Sequence, residues 1–179
     1  MTQSSDQTDT TPTLVALSLG SNINRYQHLS QALDALAEAF GELRCSPVYE
    51  SESVGFDGSN FLNSVVVICT ALRLEDINPI LKQIEDSNGR DRNGPKFGPR
   101  TLDIDVLTYG NLVGEHHGVE LPRHETARNA FVLKPMADLL PDTLLPGSDL
   151  TYTELWAKYP AEKQKLWAVP FEWRGRVLS

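Results

Sequence analysis

Apolar positions along the chain alternate between two periods, and the switches between them mark the elements. "TLVALSLGSN" is a β-branched and leucine-rich run ending in Gly20, Ser21 and Asn22, which predicts a strand closed by a turn. "RYQHLSQALDALAEAFG" then places Leu29, Ala32, Leu33, Leu36, Ala37 and Phe40 at helical spacing, with Gly41 as the stop. "ELRCSPVYESES" returns to strand, and Pro47 marks an edge or a bulge. A glycine-bearing loop, "VGFDGSNF", leads into the almost continuous apolar strand "LNSVVVICTAL". "LEDINPILKQIEDSNGR" is a second amphipathic helix, with Leu74, Ile77, Ile80, Leu81 and Ile84 on one face. Pro79 falls near its first turn, where proline is tolerated.

A loop rich in glycine, proline and charge runs from Gly89 to Pro99, followed by the strand "TLDIDVLTYG". A hairpin through "NLVGEHHGVEL", a shorter helix around "ARNAFVLKPMADLLP" and a peripheral helix over "LTYTELWAKYPAEKQKLW" complete the pattern. The leading order β-α-β-β-α-β predicts an α+β sandwich of ferredoxin-like type: a mainly antiparallel sheet with helices packed on one face, plus the hairpin and C-terminal helix. Residues 1–12 are Ser/Thr/Gln/Asp-rich without an apolar period and are expected to be a disordered tail, leaving one domain over 13–179.

Composition narrows the function. Hydrophobic residues at 40% and charged residues at 22% are ordinary for a globular chain of 179 residues. A net charge of -8 argues against general nucleic-acid or anionic-membrane binding, though it leaves room for a local basic pocket. No apolar run reaches the ~18–20 residues of a membrane span, and the N-terminus lacks a charged-then-apolar signal pattern. Cys45 and Cys69 both sit in strand-like apolar stretches and read as reduced core thiols rather than a disulfide or metal pair. The expected compartment is the cytoplasm.

The chemistry concentrates in "KFGPRTLDIDVLTYG". Alternate strand residues share a face, so Asp103 and Asp105 lie together, about 6.5–7 Å apart at Cα, while Ile104 and Val106 point into the core. Two ionised carboxylates this close repel unless a cation sits between them. Oxygen-only ligands suit Mg2+, which is commonly shared between one or two carboxylates and substrate phosphates. A solvent-facing acidic strand is the plain alternative for an isolated Asp-x-Asp. Here Lys96 and Arg100 precede it across a Gly-Pro turn, and Arg90 and Arg92 stand upstream, so carboxylates and arginines together fit a polyphosphate and its metals.

These residues carry a family resemblance. "GPRTLDIDVL" resembles the signature of the 6-hydroxymethyl-7,8-dihydropterin pyrophosphokinases. "ALSLGSN", "VYESESVG", "FLNSVV", "IEDSNGRDRN" and "AFVLKPMADLLPD" resemble further segments of that family, over roughly Leu14 to Leu155. The resemblance implies a ferredoxin-like α+β fold and transfer of pyrophosphate from MgATP to the pterin hydroxymethyl group, with release of AMP. It implies that Asp103 and Asp105 hold two Mg2+ ions, with Asp105 also assisting deprotonation of the attacking hydroxyl. Arg90, Arg92 and Arg100 match phosphate-handling arginines, and Glu85, Lys96, Val106, Arg123 and His124 fall at ATP-side positions. Phe97 stands where many members have tryptophan, Phe131 matches the ring on the other side of the pterin, and Asn63 matches the residue bonding the pterin edge. Ser51, Glu52, Val54 and Phe61 fall at other pterin-side positions. The expected partners are the two small molecules, with no nucleic acid and no membrane, and the expected state is a monomer.

Two stretches depart from the family pattern. In "LPRHETARNAFVL", Arg123 stands where members commonly have histidine, and Asn129 where they have arginine. Arg128 is one residue earlier, which on a helix points about 100° away. Glu52 replaces a usual proline. The departures keep two other readings in view: a divergent paralogue acting on a related pterin, and a non-catalytic pterin- or nucleotide-binding protein.

Overall fold

Strand β1 (Thr13–Ser21) pairs antiparallel on one side with β4 (Phe61–Thr70) and on the other with β5 (Asp103–Tyr109). The structure is a computed structural model that describes residues 11–52, 60–89 and 101–178. Helices α1 (Arg25–Phe40) and α2 (Leu74–Ser87) follow the predicted periodicity, and Gly41 ends α1 at φ 86°. Short strands β2 (Arg44–Cys45) and β3 (Val48–Ser51) both pair with β4. With β8 (Leu166–Val169) they complete a six-stranded sheet of order β5-β1-β4-β3-β8, β2 lying off this path on β4.

The two faces of this sheet carry different helices. Val15, Leu17 and Leu19 of β1 and Ile104 and Val106 of β5 pack with Leu29, Leu33 and Leu36 of α1 and Ile77 and Leu81 of α2. The opposite face presents Ala16, Val65, Val67 and Leu107 to α3 (Ala130–Leu139), through Val132, Leu133 and Met136, and to Tyr152 of α4 (Tyr152–Lys158). The α+β class holds, but helices cover both faces of the sheet rather than the one expected, because α3 and α4 bury the second face. The unbroken run of buried positions from Leu62 to Ile68 reflects this, since a strand covered on both sides has no polar face to alternate.

Three local expectations are revised. The strand predicted over 42–53 is interrupted at Ser46-Pro47: Ser46 donates its amide to Val65 O at 2.9 Å, and its Oγ accepts from Val65 N at 2.9 Å. The terminal helix stops at Lys158, capped at its start by the reciprocal Thr151–Glu154 pair, and Leu166–Val169 forms a strand on β3. A further hairpin, β9 (Glu172–Trp173) and β10 (Arg176–Val177), docks on α1, where Trp173 Nε1 donates to Asp34 at 3.0 Å. Cys45 is half-buried and burial pushes its thiol up, partly offset by Arg176. Cys69 is exposed near the end of β4, so the core-thiol reading does not hold there. Among the described residues, no helix is long and apolar enough to cross a membrane.

Candidate active site

The sheet brings distant sequence segments into register. Asp103 lies opposite Gly20, Gly20 opposite Asn63, and Asn63 opposite Tyr49, forming one row across β5, β1, β4 and β3. In the neighbouring row Asp105 lies opposite Ser18, and Ser18 opposite Val65. Ser51 lies opposite Phe61. Directly opposed residues project to one face. Asp103, Asp105, Asn63, Phe61 and Ser51 therefore share the face on which Val65 and Leu107 meet α3. Gly20 leaves the middle of this floor open: a Cβ there would lie 3.6 Å from Asn63 Oδ1 and 3.8 Å from the Phe61 ring.

Asn63 is buried and oriented. Its Nδ2 donates to Ser51 Oγ at 2.8 Å and to Tyr49 O at 3.3 Å, so the amide donors are committed to β3 and Oδ1 is turned toward Gly20. Tyr49 donates its hydroxyl to Asp138 on α3, and Asp138 also takes Lys134 at 2.6 Å. Burial, the Asp138 bond and its charge all hold the Tyr49 phenol well above its usual range. Phe131 on α3 is half-buried against the same helix cluster.

At the acidic end, β6 (Gly114–His116) and β7 (Val119–Leu121) form the predicted hairpin, followed by a cis Leu121-Pro122 bond and a 3-10 turn over His124–Thr126. Arg123 donates its backbone amide to Leu107 O at 2.8 Å, which sets it alongside β5. Its Nη2 then reaches Asp105 Oδ1 at 3.2 Å and its Nη1 lies 3.9 Å from Glu125 Oε1. Burial pushes the Glu125 carboxyl up, the charges of Asp105 and Asp103 push it further, and Arg123 pulls it partly back. Glu85 is buried on α2 and accepts from the Ile104 amide at 2.7 Å, anchoring the outer edge of β5 between its two acids.

Other candidate residues are less gathered. Val106 is buried among α1 and α2 residues, on the side of β5 away from the acids. His124 and Glu52 are exposed. Arg90, Arg92, Lys96, Phe97, Arg100 and Val54 lie outside the described residues. Asn129 is the extended residue immediately before α3, and its Oδ1 accepts from Gln164 Nε2 at 3.1 Å while Gln164 Oε1 accepts from Ala130 N at 2.7 Å. That position ties the C-terminal segment to the helix start. Arg128 is exposed. Beside Arg123, a cleft of about 690 Å3 opens between hairpin and turn, lined in part by Glu115, Glu120, His124 and Arg128.

Sequence reasoning missed Glu125 and the floor role of Gly20. Glu125 is two residues from Arg123 in a segment with no periodicity to orient it, and Gly20 reads locally as a turn residue although it lies inside β1. Among the described residues no three His, Cys, Asp or Glu side chains cluster as a closed metal site. Two carboxylates on one face are instead a partial, oxygen-only donor set, which fits Mg2+ completed by water and substrate phosphate.

An α+β sandwich with paired carboxylates facing an amide-bordered floor suits Mg2+-assisted chemistry on a phosphate beside a polar-edged ligand. The chain belongs to the 7,8-dihydro-6-hydroxymethylpterin-pyrophosphokinase (HPPK) family, whose profile matches residues 16–141. It is 38% identical over 154 residues to the 2-amino-4-hydroxy-6-hydroxymethyldihydropteridine pyrophosphokinase of Pseudomonas aeruginosa, covering 83% of this chain and 93% of that protein. It is 36% identical over 129 residues to a folate synthesis bifunctional protein of Arabidopsis thaliana, covering 70% of this chain but 27% of that one. A Plasmodium falciparum HPPK-DHPS structure with pteroate shares the fold at TM-score 0.66 and 14% identity, over 83% of this chain and 43% of its own.

Proposed function

We infer that the chain transfers pyrophosphate from ATP to the hydroxymethyl group of 6-hydroxymethyl-7,8-dihydropterin in folate biosynthesis, releasing AMP. The observation that carries this reading is the family match over residues 16–141, within which the acidic pair and the Asn63 floor fall. The presence of Asp103 and Asp105 supports catalysis over binding of the pterin alone, because a binding protein for a neutral heterocycle has no use for two acids on one face.

The reaction needs no covalent enzyme intermediate. The pterin hydroxyl oxygen attacks the β-phosphorus, the bond from β-phosphorus to the bridging oxygen breaks, and AMP leaves with that oxygen. Positioning and charge neutralisation supply the catalysis. Asn63 offers Oδ1 to the edge of the heterocycle, with Ser51, Glu52, Val54 and Phe61 around it and Phe131 and Phe97 against its faces. Arg90, Arg92, Lys96 and Arg100 handle phosphate, with Glu85, Arg123 and His124 on the nucleotide side and Val106, whose side chain is buried in the core, contributing there only through its backbone. Asp105 accepts the proton of the attacking hydroxyl. Asp103 and Asp105 would hold two Mg2+ ions, which when bound offset charge on the triphosphate. Two small, water-soluble substrates suit a monomeric enzyme of the cytoplasm.

The test is AMP release by the purified chain from MgATP and the hydroxymethyl-dihydropterin. Turnover is expected with both substrates present, and Asp105→Ala should reduce it by at least about a hundredfold. Absence of AMP despite tight pterin binding by calorimetry would replace this reading with a binding function.

A further inference from the structure

Arg123 is fixed to the sheet at its backbone yet only partly satisfied at its side chain. Its amide is spent on Leu107 O at 2.8 Å, and one guanidinium nitrogen takes Asp105 Oδ1 at 3.2 Å. Glu125 stands 3.9 Å from the other terminal nitrogen, beyond a hydrogen bond. The Nε–H is buried with no acceptor among the described residues. A structural arginine normally has its rigid fork filled. This one spends a single good contact on the acid that stands closest to the chemistry, and keeps unspent donors on the acidic face.

We propose that Arg123 is a resident counter-cation of the acidic face: it offsets the charge of Asp105 in the free enzyme and competes with a divalent cation for that carboxylate. The proposal rests on the reading of Asp103 and Asp105 as the metal-holding acids. A guanidinium and a divalent ion on one carboxylate repel each other, so occupancy by one weakens the other. Phosphate is the stronger partner for an arginine fork. A triphosphate within reach draws Arg123 away from Asp105 and opens that oxygen to the ion. Nucleotide and metal binding are then positively coupled through one side chain, and the coupling is reciprocal.

Mn2+ affinity of the whole protein, read by electron paramagnetic resonance of the free ion, tests this with and without a non-hydrolysable ATP analogue. Without nucleotide, Arg123→Gln should bind Mn2+ about three- to tenfold tighter than the unaltered chain, as expected for removing a half-exposed ion pair. Arg123→Lys, which keeps the charge, should stay close to the unaltered chain. With the analogue bound, the Gln variant's advantage should shrink. Equal Mn2+ affinity in the unaltered chain and the Gln variant, or a Lys variant that behaves as Gln, would overturn the proposal. Asp105→Asn separates the underlying reading: it should weaken Mn2+ binding, and undiminished binding would remove Asp105 from the metal site whatever Arg123 does.

Discussion

Asp103 and Asn63 stand in one row of the sheet, both paired with Gly20, so one strand without a side chain separates the acid from the amide. Two strand spacings put their Cα atoms about 9–11 Å apart. A reaction joining a charged triphosphate to a flat heterocycle needs an acidic end, a hydrogen-bonding end and an unobstructed path between them. In the proposed reading the row supplies all three, across the interior strands β1 and β4.

Gly20 is therefore expected to tolerate a methyl group and little more. The Cβ of an alanine would meet Asn63 Oδ1 at 3.6 Å and Phe61 at 3.8 Å, ordinary contacts. Gly20→Ala should bind pterin nearly as well as the unaltered chain. Gly20→Val adds branches over the floor and should weaken pterin binding at least about tenfold with the melting temperature little changed. Calorimetric titration of pterin and of ATP separately would show whether the loss is confined to the ring.

Asn63 makes a second prediction, because its contacts in the fold and its proposed role in binding use different atoms. Asn63→Ala strands Ser51 Oγ without its donor and should cost about 1–2 kcal/mol of stability by urea unfolding. It also removes the acceptor proposed for the ring edge, so pterin affinity should fall about tenfold or more. A stability loss with unchanged pterin affinity would leave Asn63 a framework residue.

Much of this arrangement was legible before any coordinates. Helical spacing at Leu29–Phe40 and Leu74–Ile84 and alternation at Asp103–Val106 report local burial, and local burial is what periodicity encodes. The second helical layer was hidden in β4, whose continuous apolar run means two covered faces but reads equally as a strong single strand. "QKLWAV" follows a capped helix and continues its polar-apolar texture, so only pairing with β3 reveals β8. The Arg123–Asp105 contact spans β5, a hairpin and a turn, and depends on the register by which Arg123 N reaches Leu107 O. No window of sequence contains that register.

Glu85 permits a separation of anchoring from nucleotide contact. Its Oε2 takes the Ile104 amide at 2.7 Å on a strand at the sheet edge. Glu85→Gln retains an acceptor and should lose less than about 1 kcal/mol, whereas Glu85→Ala leaves a buried N–H unmet and should lose about 1–3 kcal/mol. Thermal unfolding of both variants without ligand measures the anchoring. If the Gln variant is as stable as the unaltered chain but binds ATP more weakly, the carboxylate charge also serves the nucleotide.

Glu50 ties the two strands that carry the residues proposed for the ring side, and it should do so in a pH-dependent way. It lies one residue before Ser51, and its Oε2 takes Asn60 Nδ2 at 3.1 Å and Arg25 Nη1 at 3.1 Å. Asn60 lies one residue before Phe61, and its carbonyl also accepts from Arg25 at 3.1 Å. Burial raises the Glu50 carboxyl, but the Asn60 and Arg25 bonds, the Arg25 charge and a Trp167 bond more than offset it and leave it below its usual value. A carboxylate held more tightly in the folded state stabilises it fully above the ordinary glutamate range near ~4.3, and the contribution is lost as pH falls through the lower folded value. Glu50→Gln should therefore cost about 1 kcal/mol at neutral pH, with the difference from the unaltered chain shrinking on acidification below about pH 4. Urea unfolding of both proteins across that range checks the sign. A difference that stays constant with pH would mean that Glu50 acts by shape rather than by charge, and that Ser51 and Phe61 owe their register to backbone pairing alone.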